Sequence, residues 1–346
     1  VRASQGKDNE ARAETIELPE ELAYGQDGQP SGRKGVPWRR VIALLLGLGI
    51  LAVLFSTVGA ADVWRVLSRA HAGWLFFALL CFVPQFVVIG WRWQRMTRAF
   101  VPMTMVQCVQ LVLATNTANV VLPSKLGDLG KGVVLARSGK ISLPGGMSLV
   151  VLEKLMDVAA LAVIMLAGTA VLLSGLKGLS PLHQGAALMA SFVGLAALVA
   201  IAVLYLAPLP SGKSEAGGAL VKVVKVARGA RDGLNLLRSH GASGLLLLGS
   251  TMAIWMLHMV QIWAFFQAVG AQPDLARFLC LAPLAIFIGL VPITFGGFGT
   301  RDSALVALFV PIPEPVMLSA ALLVNTRYIV PALLGWPFFH RYAVRS

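Results

Sequence analysis

Seven polar side chains sit inside or beside long apolar stretches of this chain: Asp128, Lys131, Glu153, Asp157, Arg301, Asn325 and Arg327. Glu153 and Asp157 are spaced i,i+4 and share one helix face. Arg327 stands about ten residues from the predicted outer end of its apolar run, roughly 15 Å deep and near a bilayer centre. An arginine there costs at least ~2.5 kcal/mol even on a lenient insertion scale, so it must face protein or water and be partnered. Glu153 or Asp157 is its expected counter-charge. Two chemistries fit such a set. One is a structural ion pair that fixes helix register. The other is an anion site in which the planar guanidinium of Arg327 and the point charge of Lys131 hold a phosphate. In that site Glu153 and Asp157 neutralise the empty cavity or relay protons.

These residues flank two interruptions that read alike. Each is apolar-Pro-x-x-x-Gly-[Asp/Gly]-[Leu/Phe]-Gly, with Pro123, Gly127 and Gly130 aligned to Pro292, Gly296 and Gly299; Gly297 lies within the second. Pro removes a helical hydrogen bond and Gly permits close or left-handed backbone. Each break separates two apolar arms, the second too short to span alone. The pattern predicts two re-entrant helix–break–helix hairpins, at about 103–137 and 278–310. Short arms beginning at Gly130 and Gly299 would point N–H groups at an anion. Charge distribution makes the hairpins enter from opposite sides, as inverted repeats of transporters do.

The elements that carry these residues follow from composition. The 346 residues are 57% hydrophobic and 13% charged, with mean hydropathy +0.77. Soluble domains carry roughly 25% charged residues, so a soluble enzyme, a disordered chain and a disulfide-rich module are all excluded. Full spans are predicted at 41–59, 74–91, 149–173, 185–207, 244–269 and 316–339. The expected fold is an all-α polytopic membrane protein with six spans and two oppositely oriented hairpins. Residues 1–37 are polar, without helical period, and read as a disordered cytoplasmic tail; 38–346 form the transmembrane domain.

The formal net charge is +13, and residues 1–36 account for −2 of it. The excess lies in short basic loops, including three arginines in 92–98 and six basic residues in 208–243. That is the signature of loops retained on the cytoplasmic side beside anionic lipid, not of nucleic-acid binding. Both termini are then cytoplasmic, and the 221–238 part of the basic loop has the spacing of a surface amphipathic helix. Trp91-Arg92-Trp93-Gln94-Arg95 reads as an interface anchor. Three cysteines and five histidines show no metal-ligand spacing, and there is no GxxxxGK[ST] loop. No metal or cofactor is expected.

Taken together, the stretches 122–131, 153–157 (Glu-Lys-Leu-Met-Asp), 292–300 and 325–328 (Asn-Thr-Arg-Tyr) resemble the lysylphosphatidylglycerol synthase transmembrane region, the flippase-like group once called UPF0104. The resemblance covers about residues 40–340. It implies translocation of an anionic lipid or its headgroup across a bacterial-type inner membrane, the lipid being an anionic phospholipid or a polyprenyl-phosphate-linked intermediate. The family often has Glu near the position of Asp302. Synthase activity in larger relatives resides in a separate soluble domain, for which no segment here is long enough, so an aminoacyl transferase is not expected. Two rival readings stay open: an intramembrane lipid-modifying enzyme using Glu153 and Asp157, and a non-catalytic partner of a lipid synthase or glycosyltransferase. Homo-oligomerisation is compatible with each.

Overall fold

The computed structural model describes residues 38–121, 127–174, 180–206, 228–229, 231–235, 241–291 and 294–343. The tail 1–37, Pro123, Pro292 and most of the basic loop 208–243 lie outside these residues; of its expected amphipathic helix 221–238 only 228–229 and 231–235 are described, and these are helical. Twelve helices carry the argument. They are α1 (Trp38–Val58), α2 (Ala60–Ser68), α3 (Ala72–Leu80), α4 (Phe82–Thr97), α5 (Met105–Val121) and α6 (Leu129–Ala136), followed by α7 (Leu143–Ser174), α8 (Pro181–Leu206), α9 (Ala242–Ala268), α10 (Leu275–Leu290), α11 (Thr300–Leu308) and α12 (Glu314–Ala343). Among the described residues there is no strand.

Five units are long and apolar enough to cross a membrane: the α3–α4 unit Ala72–Thr97, α7, α8, Ser243–Ala268 of α9 and Glu314–Phe339 of α12. They coincide with five of the six spans expected from the sequence. The remaining one, 41–59, is α1, which turns by 85° into α2. Gly59 makes the turn at φ 91°, where a Cβ would be strained. The count is therefore five, or six if the bent pair is taken as one span.

Surface and interior are distributed as lipid demands. Helix α8 turns Leu188, Phe192, Leu195 and Val199 outward and buries Ala186, Ala187, Ala190 and Gly194. Lipid tails are as apolar as leucine, so helix association rests on close packing of small residues rather than on hiding large ones. The interior proper holds Phe265, Phe266, Phe278 and Phe309. Phe266 meets Phe278 and Phe309 edge-on at 5.5 and 5.2 Å, contacts worth about 0.5–1.5 kcal/mol each beyond area. A second cluster, with Trp93, Leu135, Leu149, Leu152 and Met156, joins α4, α6 and α7.

Beside both breaks the short arms make close local contacts. Helix α5 starts with a reciprocal cap: Thr104 Oγ1 accepts from Gln107 N–H at 3.2 Å and Gln107 Oε1 accepts from Thr104 N–H at 2.8 Å. After its break, Gly127 lies on the backbone of Ala118 and Asn119, and Asn119 Oδ1 accepts from Asp128 N–H at 3.1 Å. In the second hairpin, Asp274 caps α10 through Arg277 N–H at 3.0 Å. Gly297 then returns against the Gly289 carbonyl. The aligned glycines nonetheless work differently. Gly296, Gly297 and Gly299 hold φ of 64°, 80° and 86°, whereas Gly127 is needed for close approach and Gly130 has only Thr115 Cγ2 at 3.7 Å.

Each hairpin is followed by a long helix, and the packing is reciprocal. Arm α5 packs on α12 while arm α10 packs on α7; α6 packs on α7 as α11 does on α12. Both cross-contacts are sealed by a glycine. A Cβ at Gly168 would collide with the Leu279–Cys280 backbone, and one at Gly335 with the Leu113 carbonyl. Thr117 Oγ1 donates to the Ala332 carbonyl at 2.7 Å while Leu113 meets Gly335, so α5 and α12 run antiparallel. The first arm of each hairpin thus packs across onto the long helix that follows the other.

Candidate functional site

A cleft of about 190 Å³ opens between α4, α5, α6, α7, α9, α12 and the Gly296–Phe298 turn. One wall is charged, lined by Arg92, Asp128, Lys131, Glu153, Lys154 and Asp157. The other is apolar and aromatic, with Phe82, Phe86, Ile254, Trp255, Phe298 and Pro331. Arg327, Tyr328 and His258 lie between them.

The charged wall is a closed ring of alternating sign. Arg92 donates from Nη2 to Glu153 Oε1 and from Nη1 to Asp157 Oδ1, both at 2.8 Å. Lys131 Nζ reaches Glu153 Oε2 at 2.8 Å and Asp128 Oδ1 at 3.3 Å. Lys154 Nζ closes the circuit to Asp128 Oδ2 at 2.6 Å and Asp157 Oδ2 at 4.0 Å. Trp93 Nε1 adds a bond to Glu153 Oε1 at 2.8 Å, and Arg92 Nη1 one to Thr251 Oγ1 at 3.0 Å. Arg92, Lys131 and Glu153 are only 2–3% exposed. Three cations and three carboxylates leave no net charge, which is what so dry a site requires.

Local sequence places each member. Glu153 and Asp157 share a face of α7 as their spacing predicts, and Lys154 beside them stays half-exposed. Asp128 sits at the start of α6 and meets Lys131 one turn on. Arg92 projects from α4 on the face that also presents Gln85 and Ile89 to the cleft, at i, i+4 and i+7. The backbones of α6 and α7 come together at Gly132 and Gly146, where a Cβ on Gly146 would meet the Gly132 carbonyl.

Two expectations are corrected. Arg92 is no interface anchor but the buried centre of the ring; its tryptophan and arginine neighbours concealed that. Arg327 is not paired with Glu153 or Asp157, because Arg92, Lys131 and Lys154 already hold those carboxylates. Arg327 Nε and Nη1 are buried without a hydrogen-bond partner among the described residues. Lys131, expected to be free for phosphate, is engaged by two acids. Lys154, not among the expected site residues, carries the third positive charge of the ring.

The other expected site residues form a separate cluster behind the second break. Arg301 Nη2 donates to Asn325 Oδ1, and Asn325 Nδ2 donates to both Asp302 oxygens at 3.3 and 3.2 Å. Asp302 Oδ2 accepts from Gly299 N–H at 2.9 Å and so caps α11. The Arg301 guanidinium lies 4.7 Å from the centre of the Tyr328 ring. Asn325 and Arg301 therefore brace the break and do not line the cleft. Lys131–Glu153 and Arg301–Asn325 each join a short arm to the long helix after it.

Over residues 40–335 the chain matches a family model described as the lysylphosphatidylglycerol synthase TM region. A search of curated proteins finds no match. The matched stretch contains both hairpins, the whole charge ring and Arg327.

Proposed function

The chain belongs to the lysylphosphatidylglycerol synthase TM region family, and on that footing we propose that this multi-pass membrane protein translocates an anionic lipid or lipid-linked intermediate. One observation carries the reading: Nε and Nη1 of Arg327 are buried without a hydrogen-bond partner among the described residues, in a cleft charged on one wall and apolar on the other. An unpaired cation at such depth is costly unless an anion visits it. Phosphate matches the guanidinium fork, and the aromatic wall suits the glycerol and first methylenes of a lipid. The ring holds the α6 hairpin to α4 and α7 and keeps its own charges from competing for the ligand.

Three long helices, α7, α8 and α9, separate the hairpins. If each crosses the bilayer, the hairpins enter from opposite faces, with basic loops and both termini on the cytoplasmic side of an inner membrane. Rocking of one half against the other would then carry the headgroup past the midplane. The enzymatic rival asks Glu153 or Asp157 to transfer a proton, although each faces two cations. A lipid synthase or glycosyltransferase is a fitting partner to supply or consume the lipid.

Headgroup accessibility in sealed proteoliposomes tests the reading, with phosphatidylglycerol, its aminoacyl esters and polyprenyl phosphates compared. Movement of one lipid class, lost in Arg327→Ala, is the expected result. Movement that Arg327→Ala leaves intact, or none for any class by folded protein, overturns it.

A further inference from the structure

If the cleft takes an anion, its proton chemistry can be read from which groups are already committed. Each carboxylate of the ring faces two cations: Glu153 has Arg92 and Lys131, Asp157 has Arg92 and Lys154, Asp128 has Lys131 and Lys154. None is free to take up a proton without breaking the ring. His258 is different. It projects from α9 into the cleft, edge-on to Trp255 at 5.4 Å between ring centres, and its Nδ1 is buried with no hydrogen-bond partner among the described residues. The guanidinium groups of Arg327 and Arg92 line the same cleft and act on it electrostatically.

The surroundings of His258 are set by the elements packed on α9. Into the cleft, α4 presents Arg92, α7 presents Glu153, Lys154 and Asp157, and α12 presents Arg327 and Tyr328; α3 and α10 present nothing there. With the ring self-neutralised, the part of the cleft around His258 holds Arg327 as its uncompensated charge. An orphaned imidazole nitrogen beside an orphaned guanidinium is a two-point anion receptor that lacks one proton. Imidazole is the side chain that gains and loses a proton in the physiological range.

We propose that the cleft binds its anion, a phosphodiester headgroup, between Arg327 and a protonated His258, so that each anion enters with a proton from solvent. The proton goes to the imidazole, both ring nitrogens then donate, and it leaves when the headgroup leaves. The inference rests on the translocator reading and adds its coupling: anion and proton move together, and lipid movement answers to a pH gradient. No nucleotide is needed.

Calorimetric titration of the purified full chain with dihexanoyl phosphatidylglycerol, across pH 6 to 8 and in buffers of different ionisation enthalpy, counts protons taken up per anion. The expected result is uptake of up to about one proton, with a Kd that rises toward tenfold per pH unit on the alkaline side. His258→Gln binds more weakly, takes up no proton and shows a flat profile. The count on the unmodified protein stands even if that variant does not fold. Glycerophosphoglycerol, the same headgroup without chains, separates the sources: uptake with the lipid only assigns the site to a membrane lipid, and equal uptake with both assigns it to a soluble phosphodiester. Either outcome supports the proton. Binding that depends on Arg327 but exchanges no proton overturns this inference and leaves the translocator standing. No binding at any pH overturns both.

Discussion

Replacing Arg92 by Met removes the best-connected member of the ring while nearly keeping its volume. The guanidinium serves two carboxylates at 2.8 Å and a threonine at 3.0 Å. Without it, two cations face three carboxylates. Glu153 keeps Lys131 and the Trp93 indole, but Asp157 keeps only Lys154 at 4.0 Å. Stripping one partner from a buried ion cluster costs about 3–5 kcal/mol, chiefly because a charge is left uncompensated. At roughly 2 °C per kcal/mol for a chain of this size, melting should fall by roughly 6–10 °C. Asp157→Asn alone should cost less, since Arg92 then still holds Glu153 and Lys154 still holds Asp128. The pair Arg92→Met/Asp157→Asn restores neutrality, and the coupling should recover about 0.5–3 kcal/mol relative to the sum of the singles. Intrinsic-fluorescence melting in detergent, with all four proteins in parallel, reads this directly. An Arg92→Met protein melting within about 1 °C of the parent, or a double variant no better than additive, would refute the account of the ring as one neutral unit.

Three further outcomes follow from the same geometry. Gly168→Ala and Gly335→Ala push a methyl group into facing helix backbone; each should cost about 1–3 kcal/mol in melting experiments, and unchanged stability in both would mean the two halves are not closely clasped. The aligned glycines should part company: Gly299→Ala, at φ 86° and against Gly47 and Ile50, should lower stability by about 1–2 kcal/mol or more, whereas Gly130→Ala should be neutral within about 0.5 kcal/mol. Equal responses would contradict the different roles given to the two breaks. The protein should copurify with anionic lipid, Arg327→Ala should lose most of it, and Arg327→Lys should recover only part because the fork is gone; mass spectrometry of extracted lipid decides, and equal lipid content in Arg327→Ala and parent would sink the anion site.

Much of the scaffold was legible because its signals are local. Long apolar runs fixed five spans, and Pro-Gly interruptions with short second arms marked the hairpins. What stayed hidden was partnership between helices. Periodicity put Glu153 and Asp157 on one face of α7 but could not say which cation would meet that face. Arg92 was obscured by Trp91, Trp93 and Arg95, which together resemble an interface belt. A readable hint was present in Gln85 and Arg92, two polar residues seven positions apart and so on one helix face inside an apolar span. Similarly, the aligned glycines revealed the repeat yet not its mechanics: a letter in sequence does not distinguish left-handed backbone at Gly296 from close approach at Gly127.

The reciprocal packing has a consequence for assembly. Since α5 is covered by α12 and α10 by α7, neither half has a complete interior of its own. Each half alone would leave those faces uncovered. Severed between α8 and α9, the present chain should yield two fragments that are degraded when made singly and persist when made together.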